Sequence, residues 1–230
     1  VNPDPLAALF AELGRLKNLA RLETQLRDRG FLRIAGVDEA GRGALAGPVV
    51  AAAVILPAEC ILPGLDDSKQ VDADARRRLD REIRRRALAV GVGVVEARDI
   101  DAGDILRASL EAMRVAASSL APEPEVLLVD AVRVPGVRWP QVPVVHGDAL
   151  SVSIAAASIV AKVHRDGLLA GLARRYPAYG FEDHKGYGTP EHWEALRRYG
   201  PCGEHRLTYR GVVPDAAEAP AGVRATRRRG

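Results

Sequence analysis

The chain has 230 residues, 47% of them hydrophobic, enough for one sizeable core with a small element appended. Its 33 basic and 30 acidic side chains leave a net charge of only +3, which permits a polyanionic partner without requiring one. Two cysteines make neither a disulfide framework nor a CxxC pair, no apolar run approaches about 18 residues, and no basic-then-apolar leader is visible, so the expectation is a soluble, cytoplasmic protein with reduced thiols and no membrane partner.

In chain order, Leu6, Leu9, Leu13, Leu16, Leu19, Leu22 and Leu26 recur by threes and fours, which predicts one amphipathic helix over 6–29 ending at Gly30. Residues 34–38 predict a first strand and 48–56, PVVAAAVIL, a second, closed by Pro57. Residues 72–91 read as a helix with Leu79, Ile83, Ala87 and Val90 on one face, and VGVVEA from Val92 as a third strand. The spacing of Leu106, Leu110, Met113, Ala117 and Leu120 predicts a buried helical stripe over 101–120. VLLVD at 126–130 and VPVVHGD at 142–148 read as two short strands, each ending in an aspartate. An alanine-rich helix over 153–176 and a short helix over 190–199 follow, and PDAAEAPAGVRATRRRG, 214–230, lacks periodicity and reads as a disordered basic tail. This order predicts a mixed α/β sheet with helices on its faces.

Asp38, Asp130 and Asp148 each close an apolar run, and Glu39 adjoins the first. The C-terminal ends of strands are where open α/β sheets bind ligands. Carboxylates gathered there repel one another and lose hydration, so they need cations, and few arginines or lysines lie beside them in sequence. A hard divalent metal is the economical partner; two ions about 3.5–4 Å apart would stabilise the attacking and leaving oxygens of a phosphoryl displacement. Taken singly, each aspartate equally suits a strand cap or a turn.

GVDEAGRG, 36–43, nearly fits a phosphate loop but has Arg42 in place of its lysine and Gly43 in place of its hydroxyl, and the glycines at 41, 43 and 47 miss the dinucleotide spacing. Gly-Arg-Gly brings backbone close to a ligand or makes a plain tight turn. Lys162 and Asp166, four apart on a helix, predict a structural ion pair. His164, His184, His192 and His205 lack zinc-site spacing, so polar or surface roles are expected, with His184 or His205 touching nucleic acid.

Together GVDEAGRGALAGPVVAAAVIL (36–56), DSK (67–69), LLVDA (127–131), GD (147–148), AASIVAKVHRD (156–166), HKGYGTPEH (184–192) and YGPCGEHR (199–206) resemble ribonuclease HII, the type 2 ribonuclease H family. The resemblance implies an RNase H-like fold, a mixed five-stranded sheet flanked by helices with a C-terminal helical segment. It divides the chain into a helical extension, 1–30, a catalytic domain, 31–213, and the tail, 214–230. It further implies a monomer that uses Mg²⁺ or Mn²⁺ to cleave the RNA strand of RNA/DNA hybrids and to nick DNA duplexes 5′ to embedded ribonucleotides, leaving 3′-OH and 5′-phosphate ends. By matching position, Asp38, Glu39, Asp130 and Asp148 are the family's acidic active-site residues and metal ligands. Gly41, Arg42 and Gly43 match the element that inspects the ribose 2′-OH, Tyr187 the tyrosine that stacks on the following deoxyribose, and Ser68, Lys69 and Lys162 phosphate contacts. His146, where a lysine often stands, SKQVDAD and HRLTYRG depart from the family pattern and bear on phosphate contacts rather than on the reaction. Two rivals differ in what they cut: a recombinase-like nuclease would cleave all-DNA duplex, and a binding module with a structural ion would cleave nothing.

Overall fold

The central strand, β1 (Ile34–Ala40), is apolar enough to be buried on both faces, and the sheet grows outward from it. The computed structural model describes residues 4–213; the tail read over 214–230 lies outside them. β2 (Val49–Ile55) pairs antiparallel with β1, and β3 (Ala89–Val95) antiparallel with β2. On the other side β4 (Val126–Asp130) runs parallel to β1, and β5 (Gln141–Val144) parallel to β4, giving the order β3-β2-β1-β4-β5. The expected mixed five-stranded sheet is therefore present.

The helices are α1 (Pro5–Leu19), α2 (Arg21–Arg27), α3 (Ala73–Arg86), α4 (Ala97–Asp101), α5 (Ile105–Ser118), α6 (Gly147–Leu150), α7 (Val152–Arg175), α8 (Phe181–His184) and α9 (Pro190–Tyr199). Strand alternation sends Ala35, Val37, Ala51 and Ala53 towards α5, where they bury Ala112, Met113 and Ala116. Ala52 and Val54 face α7 and its run Ala155, Ala156, Ile159 and Val160. Small residues let both helices come close. A Cβ on Gly36 would stand 2.0 Å from the Ser153 carbonyl carbon, and one on Gly93 2.0 Å from the Ala112 oxygen. Among the described residues no helix is long and apolar enough to cross a membrane.

Several boundaries differ from the sequence reading. The helix read over 6–29 breaks at Ala20 into α1 and α2; Leu6, Leu9 and Leu13 are exposed, and Leu16 and Leu19 pack against the core. The helix read over 72–91 stops at Arg86. Ala87 is already extended, and Val90 pairs with Val54 in β3 rather than lying on a helical face. The stripe over 101–120 is also two elements. The Asp104 side chain accepts the Arg107 N–H to start α5, which turns Leu106 out to solvent and buries Ala108, Ala112, Met113 and Ala116. β5 ends at Val144, not at Asp148, because His146 adopts a left-handed conformation and Asp148 falls in the short helix α6.

Gly36→Ala is expected to destabilise the protein by about 3 kcal/mol, since its methyl would meet backbone that cannot move aside. Gly14→Ala on α1, where a Cβ meets nothing within 4 Å, is expected to stabilise it by about 0.5–1 kcal/mol. Denaturant unfolding of the two variants checks both; a neutral Gly36→Ala would refute the close α7–β1 contact.

Candidate active site

Parallel pairing sets Val37 of β1 opposite Val129 of β4, so the next residue on each strand, Asp38 and Asp130, emerge side by side. The Asp38 side chain lies on the face that Gly36 clears for α7 and is only 6% exposed. Its Oδ1 accepts the Glu39 N–H at 2.7 Å, and Asp130 Oδ1 accepts the Gly147 N–H at 2.8 Å, which ties the turn carrying Asp148 to β4. Asp148, 8% exposed, receives Lys69 Nζ at 3.3 Å, and Glu39 receives Arg42 Nη1 at 3.3 Å.

Burial pushes the Asp38 carboxyl well above the usual carboxylate range, and the charges of Glu39, Asp130 and Asp148 push it further. Glu39 is also raised, by burial first, with Arg42 opposing. Burial and Asp67 raise Asp148 against the pull of Lys69. Burial works against the charge on Lys69, but Asp67 and Asp148 outweigh it and raise its pKa.

Of the residues singled out in the sequence, Asp38, Glu39, Gly41, Arg42, Gly43, Ser68, Lys69, Asp130, Lys162 and Tyr187 line one cleft of about 280 Å³. Asp148 is not on its wall and joins the group through Lys69. Among the described residues no three His, Cys, Asp or Glu side chains are drawn into a closed metal shell; the carboxylates stand around the cleft instead. Arg76 and Ser158 line the cleft too and were not foreseen. Ser158 Oγ donates to Ser68 Oγ at 2.7 Å, and Arg76 donates to the carbonyls of Ser68 and Val71. Arg76 was hidden in a helix crowded with arginines, and Ser158 in a run of small residues. The predicted Lys162–Asp166 ion pair is present at 2.7 Å.

Two buried arginines shape the Gly-Arg-Gly loop. Arg165 donates to the carbonyls of Pro48 (2.9 Å), Lys185 (2.9 Å) and Ala46 (3.1 Å), and its guanidinium lies 5.3 Å from the Tyr187 ring centre. Arg206 donates to the carbonyls of Gly47 and Arg42 and to the Tyr209 hydroxyl. Gly41, at φ +95°, packs so tightly on Arg165 that a Cβ would fall 2.0 Å from Nε, whereas a Cβ at Gly43 meets nothing within 4 Å. The first glycine therefore belongs to the fold, and the second leaves backbone open to the cleft. His205 is 2% exposed and so does not offer the nucleic-acid contact the sequence suggested for it; its ring packs among Tyr179, Phe181 and His192.

The Ribonuclease HII family pattern matches residues 35–211. A ribonuclease HII of Geobacillus kaustophilus is 54% identical over 198 residues, 86% of this chain and 76% of that protein. The solved ribonuclease H2 of Pyrococcus horikoshii OT3 superposes with a TM-score of 0.67 at 27% identity, covering 78% of this chain and 95% of the other. Bst-RNase HIII, solved in complex with Mn²⁺, shares the fold with a TM-score of 0.61 at 21% identity, covering 79% and 68%.

Between pH 3.8, the ordinary aspartate value, and the raised value of Asp38, the folded protein keeps a proton that the unfolded chain releases. Stability therefore falls as pH rises through that window, and the loss is complete above it. In chelator at about pH 8, Asp38→Asn is expected to melt above the parent protein, by about 2–4 °C for each kcal/mol recovered. The gap should close as pH approaches 3.8. A variant that melts no higher than the parent in chelator would refute charge crowding at this position.

Proposed function

The chain belongs to the ribonuclease HII family, nucleases that cleave the RNA strand of RNA/DNA hybrids, and from that premise we propose that it also nicks DNA duplexes 5′ to embedded ribonucleotides with two divalent ions, leaving 3′-OH and 5′-phosphate ends. The observation that carries this reading is a cleft in which the carboxylates of Asp38, Glu39 and Asp130, with Asp148 joined through Lys69, adjoin an open Gly43 backbone and the exposed ring of Tyr187.

The donors suit a hard cation. All four are carboxylates, Asp38 resists ionisation because it is buried and because of its acidic neighbours, and Lys69 and Arg42 are counter-charges in direct contact with the group. In this reading Asp38, Glu39, Asp130 and Asp148 hold Mg²⁺ or Mn²⁺, which when bound supplies an activated water and charge neutralisation at the departing 3′ oxygen. Gly43 and Arg42 face the ribose, where backbone polar groups meet a 2′-OH that deoxyribose lacks. Tyr187, 37% exposed with Lys162 Nζ 5.7 Å from its ring centre, offers a flat face to the sugar on the far side of the scissile bond. Ser68, Lys69 and Lys162 contact phosphates; Lys162 must then share its charge between Asp166 and the nucleic acid. A groove of about 700 Å³, which also includes Arg76, Lys162 and Tyr187, continues the cleft along α7 and gives the strand a path. Residues 31–213 carry the reaction, and 1–30 are an extension from which Leu16 and Leu19 of α1 join the core on the α7 side of the sheet. The protein acts as a monomer.

The test is a labelled DNA duplex carrying one ribonucleotide, incubated with Mg²⁺ or Mn²⁺ and with chelator, beside an all-DNA control. Metal-dependent nicking 5′ to the ribonucleotide is expected, and equal cutting of all-DNA would overturn the proposal. Asp38→Asn should lower the rate by roughly 10³-fold or more while the fold is retained; a normal rate would exclude its assignment as a metal ligand. Gly43→Val, free of clashes within the protein, should melt like the parent and reduce the preference for ribose by about 10–100-fold, the size of a discrimination built on one contact. Unchanged discrimination would remove Gly43 from the reading.

A further inference from the structure

Behind Tyr187 lies a chain of imidazoles that neither the metal chemistry nor the ribose contact uses. His192 and His205 are buried, and their Nε2 atoms meet at 3.0 Å. Their tautomers follow from the partners at the far ring nitrogens. His192 Nδ1 lies 2.9 Å from the Tyr187 carbonyl oxygen, which can only accept, so Nδ1 carries the proton and Nε2 is a lone pair. His205 Nδ1 accepts the Cys202 N–H at 3.0 Å, with Cys202 Sγ at 3.1 Å, so the proton of His205 sits on Nε2 and points at His192. The two assignments were reached from opposite ends and agree at the shared bond.

His184 completes the support. Its Nδ1 accepts the Gly186 N–H at 3.1 Å, its Nε2 donates to the Tyr179 carbonyl at 2.7 Å, and its ring stacks on His192 with centres 4.3 Å apart. Burial lowers the pKa of His192 and pushes His205 down to about 4, so both rings are neutral at ordinary pH. The rings stack and hydrogen-bond rather than converge on a point, and among the described residues no such group is arranged to hold a metal.

We propose that His205 is a positioning residue for Tyr187, acting through His192: its Nε2–H forces His192 into the Nδ1–H tautomer, and that N–H anchors the Tyr187 carbonyl so that the ring faces the cleft. The proposal rests on the reading of Tyr187 as a substrate contact. The Thr189 N–H also donates to the Tyr187 carbonyl, so losing the relay loosens the turn without freeing it. A merely space-filling role would ask only for a ring of this size. The relay asks for a donor at one atom.

Two measurements test it. Nitrogen-15 NMR of the unmodified protein at neutral pH is expected to show His192 protonated on Nδ1 and His205 on Nε2; the reverse tautomers overturn the relay with no variant needed. In steady-state cleavage of the single-ribonucleotide duplex, His205→Leu should lower kcat/KM by roughly five- to tenfold, the scale of one lost hydrogen bond, mainly through KM. His205→Gln, which retains an N–H donor, should recover most of the loss. In a Tyr187→Ala background His205→Leu should add nothing; an equal further loss there would overturn the relay while leaving the Tyr187 contact standing. Unchanged kcat/KM in Tyr187→Ala alone would instead overturn the substrate contact, whatever His205 does.

Discussion

Helix α7 touches β1 at Gly36 with no side chain between them, and the cleft depends on that contact. Because the Ser153 backbone fills the space a Cβ would need, the helix packs against the strand closer than any side chain there would allow. Ser158, Lys162 and Arg165 follow along α7 at steps of four and three, so they face the same side, towards the loop and strand ends that carry the acids. The start of the helix is held a second way. Glu23 of α2 accepts the Ser153 N–H and the Ser151 hydroxyl at the start of α7, just after the turn that presents Asp148. The N-terminal helices thus bear on the geometry of the cleft without lining it.

That rigidity is spent on an arrangement that opposes folding. Three acidic side chains of this group have pKa values raised by burial, each with another carboxylate adding to the rise, while among the described residues only Lys69 and Arg42 form ion pairs with the four acids. Perturbed ionisation of this kind gathers where a site must bind charge rather than where a core must be stable. On the proposed reading the same two cations also meet anionic phosphate, so substrate and acids compete for them.

The parts of this site legible in the sequence were those with a local signature. Asp38, Glu39 and Asp130 stand at the ends of apolar strands, where side-chain alternation and strand direction already say which way a ligand must lie. Asp148 was found for a less secure reason, because its strand stops four residues earlier and a left-handed residue turns the chain into α6. The junction from α3 to β3 was misread because Ile83, Ala87 and Val90 fit a helical spacing, while β2 offered Val90 a partner that only the folded sheet makes visible. Least legible were the buried polar groups. Arg165, Arg206, His192 and His205 look like ordinary surface residues in a chain rich in arginine, and only their partners, distant in sequence, reveal that they are interior.

The two buried arginines hold their loop by its carbonyl oxygens, at residues 42, 46, 47 and 48, and their other partners are the Lys185 carbonyl and the Tyr209 hydroxyl, with no carboxylate among them. Of that loop only Arg42 and Gly43 are exposed, and Ala44 to Pro48 are buried. At the two exposed positions the loop can drift in composition over evolutionary time, while its path through space is inherited from its buried residues and from two positions more than a hundred residues downstream. On the proposed reading, variation that alters the enzyme's taste is expected at residues 42 and 43, and variation that abolishes the loop at 165 and 206.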